Sequence, residues 1–158
     1  MILVTVGTQL AFDRLIKTVD VWAENHRGEK IVAQIGPSRY VPQNMEYHDF
    51  VPPEEAQALF QRAELIISHA GMGSILTSLT HHKPILILPR RVALGEHRND
   101  HQMATAKWLE NRPGITIAWE TADVAPLLDL RTRLHGGEGI PEYASAELIS
   151  RLRNFIHS

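Results

Sequence analysis

Short runs of consecutive apolar residues alternate along the chain with longer segments whose apolar positions recur every three or four residues. Met1–Val6 is a β-branched apolar run ended by Gly7, and Lys30–Ile35 is a second, closed by Gly36-Pro37. Met45–Phe50, Leu65–Ser68, Pro84–Leu88 and Gly114–Ala118 are further runs of strand length. Between them the spacing predicts helices. Asp13–His26 carries Leu15, Ile16, Val19 and Trp22 on one face, with Gly28 as its stop. Pro53–Gln61 opens on proline, where the lost N–H costs little. Helices are also predicted from the loop His69–Gly73 to about His81, over His101–Glu110 and over Asp123–Leu130. A terminal helix over 143–157 places Leu148, Ile149, Leu152, Phe155 and Ile156 in one stripe. Strands that are apolar throughout, alternating with helices, predict a parallel sheet covered on both faces. The expected fold is a doubly wound, Rossmann-like α/β domain of about six parallel strands, with residues 1–158 forming one domain.

Composition narrows the function classes. A length of 158 residues suits one domain with a real core. With 16 Lys+Arg against 18 Asp+Glu, the net charge of −2 argues against a nucleic-acid partner held by bulk charge. The absence of cysteine excludes disulfides, thiolate catalysis and Cys-ligated zinc or iron–sulfur sites. The longest apolar stretches are strand-sized, against the ~20 residues of a membrane span, and no basic leader precedes the first strand. A cytoplasmic location is expected.

Ligands of open α/β sheets bind at the carboxyl ends of the strands, and three such ends are unusual here. In Val6-Gly7-Thr8-Gln9, glycine permits close backbone approach and Thr8 offers a hydroxyl; the plain alternative is an ordinary strand-to-helix turn. In Ser68-His69-Ala70-Gly71-Met72-Gly73-Ser74, a glycine-rich turn leads into a helix. Its free N–H groups and positive dipole end suit a phosphate, whereas the alternative is a turn that only solves packing. Arg90–Gln102 is long, polar and follows a buried run; it is either functional or a solvated loop. His97, Asp100 and His101 have helical spacing, but Arg98 stands where the zincin pattern needs Glu. Neither a GxxxxGK[ST] nor a GxGxxG motif is present. No metal and no cofactor are expected.

Taken together in this order, these segments resemble the donor-binding half of a GT-B glycosyltransferase, the family 28 C-terminal domain. The likeness rests on Val4–Gln9 with Phe12–Leu15, Ile67–Ser74, Lys83–Arg90 and Asn99–Gln102, and runs from residue 1 to about 130. Short free-standing members are most similar: the catalytic subunit of the eukaryotic two-subunit N-acetylglucosaminyl transferase, and subunits of split bacterial exopolysaccharide transferases. The resemblance implies a UDP-linked sugar donor. Gly7 and Thr8 with the N–H groups of Gly71, Met72, Gly73 and Ser74 would hold the diphosphate, beside His69 as the candidate catalytic residue, and Gln9, Ser68 and Ala70 would also bind the substrate. Asn99, Asp100, His101 and Gln102 would line the sugar or diphosphate. Phe50 and Val51 would read the uracil, with Gln34 and Gly36 on a neighbouring strand end. Many relatives carry Glu where Thr77 stands, and a Thr replaces two strong ribose bonds by one weaker bond. Arg90 and Arg91 give a slight expectation of an acidic sugar.

The family inverts at the anomeric carbon, and helix N–H donors stabilise a departing diphosphate without reorganisation. The residues offer no convincing base for the acceptor hydroxyl. The resemblance therefore implies a membrane-associated partner that supplies the acceptor half, with helix 143–157 docking on it or packing on its own domain. It would place this chain peripherally at the inner face of the membrane. Two alternatives stand beside this reading: a non-catalytic subunit that stabilises such a transferase, and a nucleotide-sugar epimerase-like protein.

Overall fold

The computed structural model describes residues 1–139, 150–151 and 153–154. The terminal helix expected at 143–157, with every residue of its apolar stripe, lies outside the described residues apart from those four polar positions. Six strands, β1 (Ile2–Thr5), β2 (Ile31–Gln34), β3 (Glu46–His48), β4 (Leu65–Ser68), β5 (Ile85–Ile87) and β6 (Ile115–Ile117), form one sheet in the order β3-β2-β1-β4-β5-β6. Every neighbouring pair is parallel. Five α-helices connect them: α1 (Asp13–Glu24), α2 (Pro53–Arg62), α3 (Met72–Thr80), α4 (His101–Leu109) and α5 (Thr121–Asp129). This is the doubly wound arrangement predicted from the apolar runs.

Side-chain alternation along the strands builds two cores. Val4, Ile67 and Leu86 face one side, where Leu15, Ile16, Val19 and Trp22 of α1 and Val124 and Leu128 of α5 cover them. Leu3, Ile66, Ile85 and Ile87 face the other, against Leu59 and Phe60 of α2, Ile75 of α3 and Leu109 of α4. Only β3 is exposed at every residue, which is the expected cost of an edge position.

Two helix starts differ from the sequence expectation for local reasons. The helix after β4 begins at Met72, because Gly71 takes an extended conformation as its N-cap (φ −87°, ψ 130°). Met72 and Gly73 therefore lie in the first turn and not in the preceding loop. The fifth helix begins at Thr121, two residues early, because the Glu120 N–H donates to the Asp123 carboxylate at 2.9 Å and caps the turn. No helix of the described residues is long and apolar enough to cross a membrane.

The strand order changes direction between β1 and β4. From β1 the chain turns to α1 on one face; from β4 it turns to α3 on the other. Thr5 and Ser68 are register partners at this divide. The loops leaving them open a crevice at the carboxyl edge, the position where open α/β sheets bind ligands.

Candidate functional site

A recess of about 490 Å³ occupies that crevice. It brings together Gly7, Thr8, Gln9, His69, Gly73 and Gln102, all expected there, with Val6, Leu10, Arg90 and His97. A recess of about 540 Å³ runs along α1 and α5, in the helix layer and not at the strand ends. Position in the fold, not size, makes the first the candidate site.

Glycines shape its floor. Gly7 has φ +76°, and a Cβ on it would stand 3.3 Å from His69 Nε2. A Cβ on Gly71 would stand 2.6 Å from the same nitrogen. The imidazole thus lies across two positions that only glycine leaves open. Gly36 (φ +56°) lets the loop after β2 approach the first loop, since a Cβ there would meet the Gly7 carbonyl oxygen at 2.8 Å. Gly73 differs: a Cβ on it meets nothing within 4 Å. Its glycine is not required by the protein's own packing.

The first turn of α3 has no side-chain cap. The N–H groups of Met72, Gly73 and Ser74 have no acceptor within the helix and stand beside the recess that Gly73 lines. Ser68 lies beneath, fully buried, with a hydroxyl that has no hydrogen-bond partner. Ala70 is buried, and its N–H donates to Gln102 Oε1 at 3.2 Å. The same oxygen accepts the Arg90 N–H at 3.0 Å, and Gln102 Nε2 lies 2.9 Å from His69 Nδ1. Gln102 ties the ends of β4 and β5 to α4 and holds the imidazole. Burial, and then the Arg90 charge, push the His69 pKa down to about 3, so the ring is neutral at physiological pH.

Arg90 and His97, which the sequence reading put in the polar segment Arg90–Gln102 without a binding role for His97, also line the recess. Arg90 is 2% exposed. Its terminal nitrogens donate to the carbonyls of Val6, Leu10, Ala11 and Glu96 at 2.6–3.2 Å, and its guanidinium lies 4.7 Å from the Phe12 ring centroid. Burial pushes its pKa down to about 10, leaving it charged. Arg91 donates to the Trp119 carbonyl and to Glu120. Both guanidinium groups are thus engaged by acceptors of the protein itself. The long loop is ordered by Glu96, whose carboxylate accepts two bonds from Arg14, at 2.9 and 2.8 Å, and the Arg91 N–H at 3.0 Å.

The remaining expected residues are not among those that line the recess. Gln34 Oε1 accepts the Val51 N–H at 3.1 Å, tying the end of β2 to the turn before α2. Phe50 is 60% exposed and Val51 is buried. The Thr77 hydroxyl donates to the Gly73 carbonyl at 2.8 Å, within α3. Asn99 Oδ1 accepts the His101 N–H, and Asp100 Oδ1 accepts the Val92 N–H. His97 Nδ1 accepts the Asn99 N–H at 3.4 Å.

Comparison with known proteins agrees with this geometry. Residues 1–126 match the profile of the glycosyltransferase family 28 C-terminal domain. A UDP-N-acetylglucosamine--N-acetylmuramyl-(pentapeptide) pyrophosphoryl-undecaprenol N-acetylglucosamine transferase of Trichodesmium erythraeum is 30% identical over 126 residues, 76% of this chain and 32% of that protein. The human UDP-N-acetylglucosamine transferase subunit ALG13 is 31% identical over 118 residues, 68% of this chain and 10% of that protein. The chain thus spans a third or less of these curated relatives. A solution structure of ALG13 superposes with a TM-score of 0.62 at 20% identity, covering 96% of this chain and 93% of the other; at that identity the likeness concerns the fold. The profile match covers most of the chain and spans both glycine loops and the helix that holds Gln102, so this chain belongs to the glycosyltransferase family 28 C-terminal domain family.

Proposed function

We propose that this chain is the donor-binding, catalytic part of a glycosyltransferase that takes a UDP-linked sugar and transfers its hexosyl group, with inversion, to an acceptor. The observation that carries the reading is the pairing, across the switch point, of an uncapped α3 N-terminus with the Gly7 loop, over a buried Arg90. Such a crevice is built for an anion: backbone N–H groups, a helix dipole and a fixed cation all favour negative charge. The choice of a uridine nucleotide is supported by the names of the relatives, both of which use UDP-N-acetylglucosamine.

In the reaction the acceptor oxygen forms a bond to the anomeric carbon from the face opposite the diphosphate. The bond from that carbon to the diphosphate oxygen breaks, and the electron pair leaves with the diphosphate. The α3 N–H groups and His69 would meet the charge that develops there, without reorganising. The acceptor's proton passes to a base contributed from the acceptor side, which we assign to a membrane-associated partner subunit. A lipid-linked acceptor and a role in polysaccharide synthesis accord with such a partner, which would hold this chain at the inner face of the membrane. No metal or other cofactor enters this scheme.

A second reading, a non-catalytic subunit that stabilises a transferase, is favoured by one feature. Thr77 stands where many relatives have Glu, and its hydroxyl proton is already given to Gly73. Calorimetry with UDP and UDP-sugars separates the two. The donor-site reading expects saturable UDP binding that is lost in Gly73→Val, because that side chain would fill open space where the ligand meets the backbone. No heat at millimolar UDP would favour the stabilising role.

A further inference from the structure

We propose that Gln102 is a positioning residue that locks His69 in the Nε2–H tautomer, so that the imidazole faces the ligand crevice as a neutral hydrogen-bond donor and not as a proton acceptor.

The argument starts from the backbone. Two N–H groups, of Ala70 and Arg90, converge on one atom of the Gln102 side chain. A backbone N–H can only donate, so that atom is the amide oxygen. Turning the amide over would set its NH₂ against both donors and leave two buried N–H groups without acceptors. The end that faces His69 Nδ1 at 2.9 Å is therefore the NH₂ group. An amide NH₂ only donates, so Nδ1 must accept and carries no proton. A neutral imidazole holds one ring proton, and it must sit on Nε2. That nitrogen lies over Gly7 and Gly71, on the ligand side of the ring.

The imidazolium form is opposed three times over. Its Nδ1–H would point at the Gln102 NH₂, the ring is only partly exposed, and Arg90 and His97 are close enough to disfavour a further positive charge. A group so held cannot take the acceptor's proton at Nε2. It can give a hydrogen bond to an oxygen anion without changing charge, and it is fixed before ligand arrives. Gln102 acts through His69: its oxygen accepts two backbone N–H groups and one of its two N–H donors meets the ring.

The inference rests on the donor-site reading only for what Nε2–H meets; the tautomer is a property of the free protein. The test is a long-range ¹H–¹⁵N correlation spectrum of the His69 ring in the full chain, between about pH 5 and 8, where an ordinary histidine titrates. The expected pattern is an unprotonated Nδ1 and a protonated Nε2, unchanged across that range. An Nδ1–H ring, an averaged pair or a titration in that range would overturn the proposal. Gln102→Glu keeps an acceptor for both backbone N–H groups but presents an oxygen to Nδ1, and is expected to draw a proton onto Nδ1. An unaltered Nδ1 in that variant would also count against the proposal. If the variant does not fold, the wild-type spectrum still decides. Gln102→Met is expected to weaken UDP binding by about ten- to a hundredfold, the size of a hydrogen bond to a charged group; unchanged affinity would mean that the locked ring gives nothing to the ligand. An Nε2–H ring that UDP leaves undisturbed would sink the donor-site reading and keep the tautomer, whereas an Nδ1–H ring that UDP perturbs would do the reverse.

Discussion

Arg90 places a positive charge beneath the recess, in contact with backbone carbonyls and an aromatic face and, among the described residues, with no carboxylate bonded to it. Its first task is mechanical. By holding Val6, Leu10 and Ala11 at once it sets the path of the loop that carries Gly7. Arg90→Met should lose about 2–4 kcal/mol of unfolding free energy: each carbonyl that loses a buried donor costs about 1–3 kcal/mol, and removing a desolvated charge offsets much of that sum. Urea titration measures this, and a loss below about 1 kcal/mol, an ordinary surface effect, would mean that the loop holds without it. Ser68 behaves in the opposite sense. Its hydroxyl is buried and unpartnered, so Ser68→Ala should leave stability unchanged or raise it; a clear loss would reveal a partner. His69 sets a pH dependence whose sign is fixed. The unfolded ring binds a proton near about 6.5 and the folded ring only near about 3. Protons therefore favour the unfolded chain. The contribution of His69 to stability is complete above about 6.5 and declines as pH falls toward 3. His69→Asn should flatten the fall in stability over that range in urea titrations, and an identical slope would contradict the assignment.

At the scale of elements, the two glycines at the start of α3 do different work. Gly71 gives room to the imidazole, so Gly71→Ala should displace His69 and destabilise the fold. Gly73 gives room to nothing in the protein. Gly73→Val should therefore unfold at nearly the wild-type urea midpoint while abolishing UDP binding; a midpoint loss as large as that of Gly71→Ala would mean that Gly73 is a packing glycine after all. This distinction was not legible in the sequence, where both read as parts of one glycine-rich turn. The strands were legible, because a strand covered on both faces must be apolar throughout: Leu65–Ser68 was expected at the bounds it has. The start of α5 was not, because it depends on one bond between Glu120 and Asp123. A recess does open at the strand ends, where the sequence leads one to expect a site. What fills its floor was hidden. The contact of Gln102 with Ala70 spans 32 residues, and that of Arg90 with Val6 spans 84; no local spacing encodes either. Arg90 looked like a charge for the sugar because an arginine after a strand is ordinarily solvated, whereas this one is buried.

For the whole molecule, the proposed donor site carries an expectation about a partner. The crevice is open at the carboxyl edge of the sheet, and it is lined by a buried cation, the neutral His69 imidazole and His97; the proposed scheme takes the base for the acceptor's proton from a partner. The chain alone should bind donor yet transfer sugar poorly, and co-expression with a membrane-associated partner should raise turnover by orders of magnitude. Full activity from the isolated chain would remove the partner from the account. The central claim, that the crevice between β1 and β4 receives a nucleotide diphosphate, is tested most directly by following backbone amide signals of the full chain as UDP is added. The account predicts saturable shifts concentrated at Gly7, Thr8 and 71–74, with the His69 ring moving in step and the amides along α1 and α5 still. Shifts centred on the recess between α1 and α5, or none at millimolar UDP, would contradict it.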